Sequence, residues 1–228
     1  MAISSVRIEG RLPRGGRWVA FFGPDGVGKS AVIERLQQTY KPAVSDTRCF
    51  HFRPHFRTRG VNRPPVLQPH SNPPRGLLIS LCKLFYWLAD CWFGYLAAVR
   101  PVRRRSGLLL FDRYYPDVLV DPVRYRLPER SLRFARWLMA FTPQPDLYIL
   151  LDAPADVVQR RKAELTSDEV RRQRVAYLRL FQSFSSRLIV NAERPVNEVA
   201  QRIALALSDC DAIPVVVPVE PVSCQPLK

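Results

Sequence analysis

Apolar residues along the chain fall into short unbroken runs, separated by longer stretches in which they recur at helical spacing. The runs cover residues 17–22, 47–52, 107–112, 146–152 and 187–191. Between them, Ile33, Leu36 and Tyr40 lie at helical intervals, and residues 128–141 carry Leu132, Ala135, Leu138 and Met139 on one side. Residues 154–162 open on a proline suited to a first helical turn. Thr166 and Glu169 have the spacing of a capping box, ahead of a helix whose Val170, Tyr177, Phe181 and Phe184 share a face. A last helix is expected over 195–207. Five apolar strands alternating with helices predict an α/β fold, a three-layer sandwich with a five-stranded parallel sheet and helices on both faces. In such folds ligands gather at the carboxyl ends of the strands, where Arg53, Asp112, Arg113 and Asp152 fall.

Two segments depart from this rhythm. Residues 53–75 are rich in proline, arginine and histidine and too long for an idle connection. Residues 76–99 are apolar enough to span a bilayer, but Lys83 and Asp90 lie in the middle, at about 2.5–3.5 kcal/mol each on insertion scales. Both flanks are basic, so the charge bias sets no orientation. A long helix buried on the sheet is the expectation, with contact to an anionic membrane surface left open. The organisation is therefore an N-terminal extension (1–16), one domain (17–208) and a proline-rich tail (209–228).

Charge narrows the partners. The formal net charge of +15 favours anions: nucleotides, nucleic acid, phospholipid surfaces or acidic glycans. No nucleic-acid-binding motif accompanies it. Five cysteines without a C-x-x-C pair point to reduced thiols and a cytoplasmic setting, and residues 1–16 lack the apolar stretch of a signal peptide. His51 and His55 are expected to be ordinary polar residues rather than metal ligands.

The sharpest chemistry lies between the first strand and the first helix. Gly23-Pro24-Asp25-Gly26-Val27-Gly28-Lys29-Ser30 fits the phosphate-binding loop G-x-x-x-x-G-K-[ST], and three of the chain's 10 glycines fall within it. Glycines let successive N–H groups converge on phosphate oxygens, Lys29 would neutralise the β- and γ-phosphates of ATP, and Ser30 would hold Mg²⁺. Asp112 follows four apolar residues and is expected to face the same metal from the neighbouring strand. Arg113 beside it suits a phosphate. Asp152 has a similar context and is expected to play a structural part. Arg160, Arg161 and Lys162, then Arg171, Arg172 and Arg174, could form a small lid, over about 160–174, that brings charge to the transferring group.

These motifs, with Asp112-Arg113-Tyr114 after an apolar strand, then Pro145-Asp146-Leu147 and Leu151-Asp152, resemble the thymidylate kinase family over most of 17–208. The resemblance implies a P-loop NTPase fold and ATP-Mg²⁺-dependent transfer to a phosphorylated acceptor, most simply a nucleoside monophosphate. It implies that Lys29, Asp112, Arg113 and Arg161 are catalytic, with Ser30 and Asp112 on the metal. It assigns Gly23, Asp25, Gly26, Val27, Gly28, Lys29, Ser30 and Ala192 to the nucleotide, the last in an adenine-side loop at 191–196. It assigns Asp25, Arg53, Arg113 and Tyr114 to the acceptor. Where some members carry a catalytic arginine this chain has Gly26, which shifts that duty to the lid. The family's stretch that helps read thymine is replaced by Tyr115-Pro116-Asp117-Val118-Leu119-Val120. The insert around 69–75 resembles a divergent branch associated with bacterial surface-polysaccharide assembly. A kinase for a sugar or glycolipid acceptor, or a nucleotide-binding module without turnover, therefore remains as an alternative, and a homodimer is left open.

Overall fold

A computed structural model describes residues 16–40, 46–52, 73–162 and 165–208. The five runs form one parallel sheet: β1 (Arg17–Phe22), β2 (Thr47–His51), β3 (Leu108–Asp112), β4 (Leu147–Asp152) and β5 (Arg187–Asn191), in the order β2-β3-β1-β4-β5. Because side chains alternate along a strand, each strand feeds both faces. Val19, Phe21, Leu108, Leu110, Ile149 and Leu151 build one core, roofed by α1 (Lys29–Tyr40) and α8 (Val196–Ser208). Trp18, Ala20, Phe22, Leu109, Phe111 and Leu150 build the other. That second layer contains α2 (Leu77–Gly94), α3 (Arg100–Arg104), α4 (Asp117–Val120) and α5 (Leu132–Met139). Two further helices, α6 (Ala155–Arg161) and α7 (Ser167–Phe181), follow β4.

Helix α7 serves both cores rather than one. Val170 packs into the first and Tyr177 and Phe181 into the second, with Phe184 just beyond the helix end. Thr166 caps it, its hydroxyl accepting from the Glu169 N–H at 3.3 Å. The Glu169 carboxylate turns away to Arg172 and Gln173, so the reciprocal half of the expected capping box is not made. Of the expected lid, 160–174, Arg160 and Arg161 end α6, and Ser167 to Arg174 belong to the packed helix α7.

The expectation of a buried helix over 76–99 is corrected. Leu77–Arg104 is one continuous helical stretch, but only 28% of its most apolar part is buried. Ser80, Leu84, Trp87 and Cys91 form its buried face, the last three within the second core. Leu78, Tyr86 and Phe93 are at least 63% exposed, a face that periodicity alone assigns no partner. Between Tyr95 and Val99 the helix widens to π geometry, with the Arg100 N–H reaching back to the Tyr95 carbonyl. Pro101 explains the widening: it has no N–H to donate, and its ring would crowd the preceding turn of a regular helix.

Candidate active site

The register of the sheet sets the site. Phe21 on β1, His51 on β2 and Asp112 on β3 are level, so the glycine loop leaves β1 one residue beyond Asp112's row. Gly23, Gly26 and Gly28 all take positive φ, at 139°, 87° and 107°. A Cβ at Gly23 would come within 2.6 Å of the Leu151 carbonyl, so only glycine lets the loop turn that close to β4. Val27 is buried beneath the loop, and Ser30 is exposed in the first turn of α1.

Lys29 folds over this loop. Its ammonium donates to the Gly23 and Pro24 carbonyls at 2.7 and 2.9 Å, and Asp25 lies 3.9 Å away. Burial pulls its pKa down to about 8, aided by Arg113 and opposed by Asp112, Asp25 and Asp117. Asp112 is also buried, which raises its pKa, but His51, Lys29 and Arg113 outweigh burial and hold the carboxyl below its ordinary range. His51 approaches one carboxylate oxygen at 3.4 Å. The other, Oδ1, is buried without a hydrogen-bond partner. An ionised carboxylate with one unpartnered buried oxygen, beside the loop carrying Ser30, fits a hydrated Mg²⁺. Asp152 has no such vacancy: Arg174 binds both its oxygens, at 2.6 and 2.8 Å, tying α7 to β4 as a structural carboxylate should.

The acceptor side differs from expectation. Arg113 takes φ of +71° and is 2% exposed. Its guanidinium donates to both oxygens of Asp117 (2.9 and 2.7 Å), to the Tyr177 hydroxyl (3.1 Å) and to Asp25 (2.5 Å). It lies buried, with both terminal nitrogens bonded, rather than exposed as the expectation of a phosphate-binding arginine would have it. The same backbone reversal turns Tyr114 away from the crevice. That residue, expected at the acceptor, is 1% exposed in the core against Trp18 and Phe111, with its hydroxyl on the Pro143 carbonyl at 2.9 Å. Arg53 lies outside the described residues.

Asp25, by contrast, stands at the junction of loop and crevice, bridged between Arg113 and Arg124. Burial alone would raise its pKa; Arg113, Lys29 and Arg124 together hold it well below the usual carboxylate range. Arg124 is 22% exposed and is the cation on the open side of Asp25. Sequence reasoning missed it, because a single arginine in the polar turn after α4 carries no periodic signal. Asp117 was also given no role, yet it is wholly buried and accepts from Arg113, Tyr125 and Tyr177. Above this network, the Phe52 and Tyr125 rings stack at 4.9 Å, with Trp87 edge-on to both.

On the side of the glycine loop away from Asp25, Arg161 donates to the carbonyls of Val27 (3.1 Å) and Ala192 (2.8 Å), clamping the loop to the turn after β5. Ala192 is itself buried, its N–H on the Asp152 carbonyl at 2.7 Å. Gly26 touches this side too: a Cβ there would meet that of Lys162 at 2.9 Å. Among the other lid cations, Arg160 and Arg171 are exposed, while Arg172 bonds Glu169 and the Val120 carbonyl.

A parallel sheet in this strand order, with a glycine loop leaving its central strand into a helix and a carboxylate ending the neighbouring strand, is the fold of the P-loop NTPases. No protein-family profile matches the chain. It is 30% identical over 213 residues to a thymidylate kinase of Leifsonia xyli subsp. xyli, covering 85% of this chain and 95% of the relative. A thymidylate kinase of Limosilactobacillus fermentum is 26% identical over 209 residues, covering 84% and 94%. The solved thymidylate kinase of Candida albicans superposes with a TM-score of 0.61 over 85% of this chain and 91% of that one; at 14% identity the likeness is one of fold. The chain belongs to the thymidylate kinase family, and so stands among the kinases that act on nucleotides.

Proposed function

We propose that the protein transfers the γ-phosphoryl group of ATP to a phosphorylated acceptor, most simply a nucleoside monophosphate. The observation that carries this is the pairing of the Lys29 loop with Asp112, whose buried Oδ1 has no partner, at adjacent strand ends. Mg²⁺ would be held by Ser30 and Asp112, and it supplies neutralisation of charge across the phosphates. Lys29 gives up its two loop carbonyls for phosphate oxygens, and the loop N–H groups share the same charge. Arg161 fixes the loop against the Ala192 turn and keeps a guanidinium beside the nucleotide. Arg124 receives the acceptor phosphate in place of buried Arg113, and Asp25 positions the acceptor from between them. Phosphoryl transfer asks mainly for positioning and charge, which this arrangement supplies.

One observation supports a wider acceptor range. Tyr115, Val118 and Val120, in the stretch that departs from the family's thymine-reading segment, are buried in the second core. The reported structure of the Candida enzyme describes an origin of broad substrate specificity, and a similarly permissive acceptor site suits this chain. The protein is expected to act in the cytoplasm. Labelled ATP with a panel of nucleoside monophosphates and sugar phosphates tests the reading. Turnover of at least one nucleoside monophosphate is expected, and Asp112→Asn should lower it about 10–100-fold while metal-free nucleotide binding persists. Nucleotide binding with no acceptor phosphorylated would instead favour a binding module without turnover, and preference for a sugar phosphate would move the acceptor class.

A further inference from the structure

His51 has no part in the kinase reading, yet the sheet sets it beside the carboxylate proposed for the metal. Paired residues on parallel strands point to the same side, so His51 on β2 and Asp112 on β3 both project from the face that α1 covers. Lys29 and Ser30 open α1 on that face. The imidazole Nδ1 lies 3.4 Å from Asp112 Oδ2, while Oδ1 of the same carboxylate is buried without a partner. Among the described residues the His51 ring has no polar partner besides Asp112. Spacing to His55 gives no sign of this pairing, because the partner comes from the neighbouring strand.

The separation identifies the role. At 3.4 Å the two atoms are too far apart for a good N–H···O hydrogen bond. Neighbouring donors on one octahedral ion, with bonds of about 2.1 Å, stand about 3 Å apart, so the pair suits a shared cation. Access is open as well. Strand β2 is the edge of the sheet, and the His51 side chain is 64% exposed against 17% for Asp112. Its ring can therefore take an ion without leaving a buried partner behind. Two protein side chains and a hydroxyl are enough, because nucleotide phosphates and water complete the shell of such ions. An imidazole among the donors changes which ion is favoured. Mg²⁺ prefers oxygen, whereas a nitrogen donor favours first-row transition ions, Co²⁺ more than Mn²⁺.

We propose that His51 joins Asp112 and the Ser30 hydroxyl as a ligand of the nucleotide's divalent cation, biasing the site from Mg²⁺ toward Mn²⁺ and Co²⁺. This rests on the kinase reading and adds the donor that selects the metal. The full chain, grown on the heavy nitrogen isotope, is loaded with Mn²⁺ and an unlabelled, non-hydrolysable ATP analogue. Electron spin-echo envelope modulation then separates protein nitrogen on the ion from adenine nitrogen. A directly bound protein nitrogen is expected in wild type, and its loss in His51→Gln. In competition titrations His51→Gln should weaken Mn²⁺ about tenfold and Mg²⁺ less than about threefold. A urea midpoint equal to wild type shows that the variant is folded. Mn²⁺ that binds with nucleotide, depends on Asp112 by the Asp112→Asn variant and yet shows no protein nitrogen overturns the role of His51 alone and leaves the kinase reading standing. Equal weakening of both ions in His51→Gln overturns the selection. No Mn²⁺ binding with nucleotide at all overturns this proposal and the kinase reading together.

Discussion

Lys29 shows how one residue's surroundings set its working range. Its ammonium is buried, and burial draws its pKa from 10.5 to about 8. The protonated form is the one that binds phosphate, and a bound triphosphate would raise its pKa again. In the free protein the lysine loses its proton as pH rises through about 8, so nucleotide affinity should fall across that pH and continue falling toward 10. Calorimetric titration with ATP at stepped pH checks this. An affinity that stays level until about pH 10, as for an ordinary lysine, would contradict it.

At the scale of elements, the Arg113–Asp117–Tyr177 network joins the end of β3 to α4 and α7. A helix of four residues cannot hold itself. It stays in place because Asp117 answers a guanidinium that has no exit to water. Removing Asp117 leaves the buried guanidinium with only the partly exposed Asp25 as counter-charge, so Asp117→Ala should lower stability by about 3–5 kcal/mol. Asp117→Asn, which keeps an acceptor oxygen, should cost less. Urea unfolding measures both, and a loss below about 1 kcal/mol for the alanine would show that the pair behaves like a surface bridge.

For the whole molecule, the proposed nucleotide site draws on β1, α1, β3, α6 and the turn after β5, from Gly23 to Ala192. No short segment can form it alone, so ATP should bind the folded chain and not the unfolded one. At a hundredfold excess over Kd, ATP with Mg²⁺ should raise the unfolding free energy by about 2.7 kcal/mol. Thermal unfolding of wild type and of Lys29→Ala reads this. A similar rise in both would remove Lys29 from the site.

Sequence alone determined the features whose causes are local. Five apolar runs became five parallel strands, since a run buried on both faces leaves few other options. Gly23, Gly26 and Gly28 announced a loop that only glycine can follow, and Thr166 announced the start of α7. Asp112 and Asp152 were told apart by their neighbours, and one proved to have an oxygen without a partner while the other is fully bound. Tertiary structure decided what depends on direction and on distant partners. A positive φ at Arg113 sent that arginine into the interior and Tyr114 into the core, a choice that the letters Asp-Arg-Tyr do not carry. Arg124 reached Asp25 from 99 residues away, and half of α2 found no sheet to cover it. Local backbone preference is written residue by residue, whereas pairing and exposure arise only when separated segments meet.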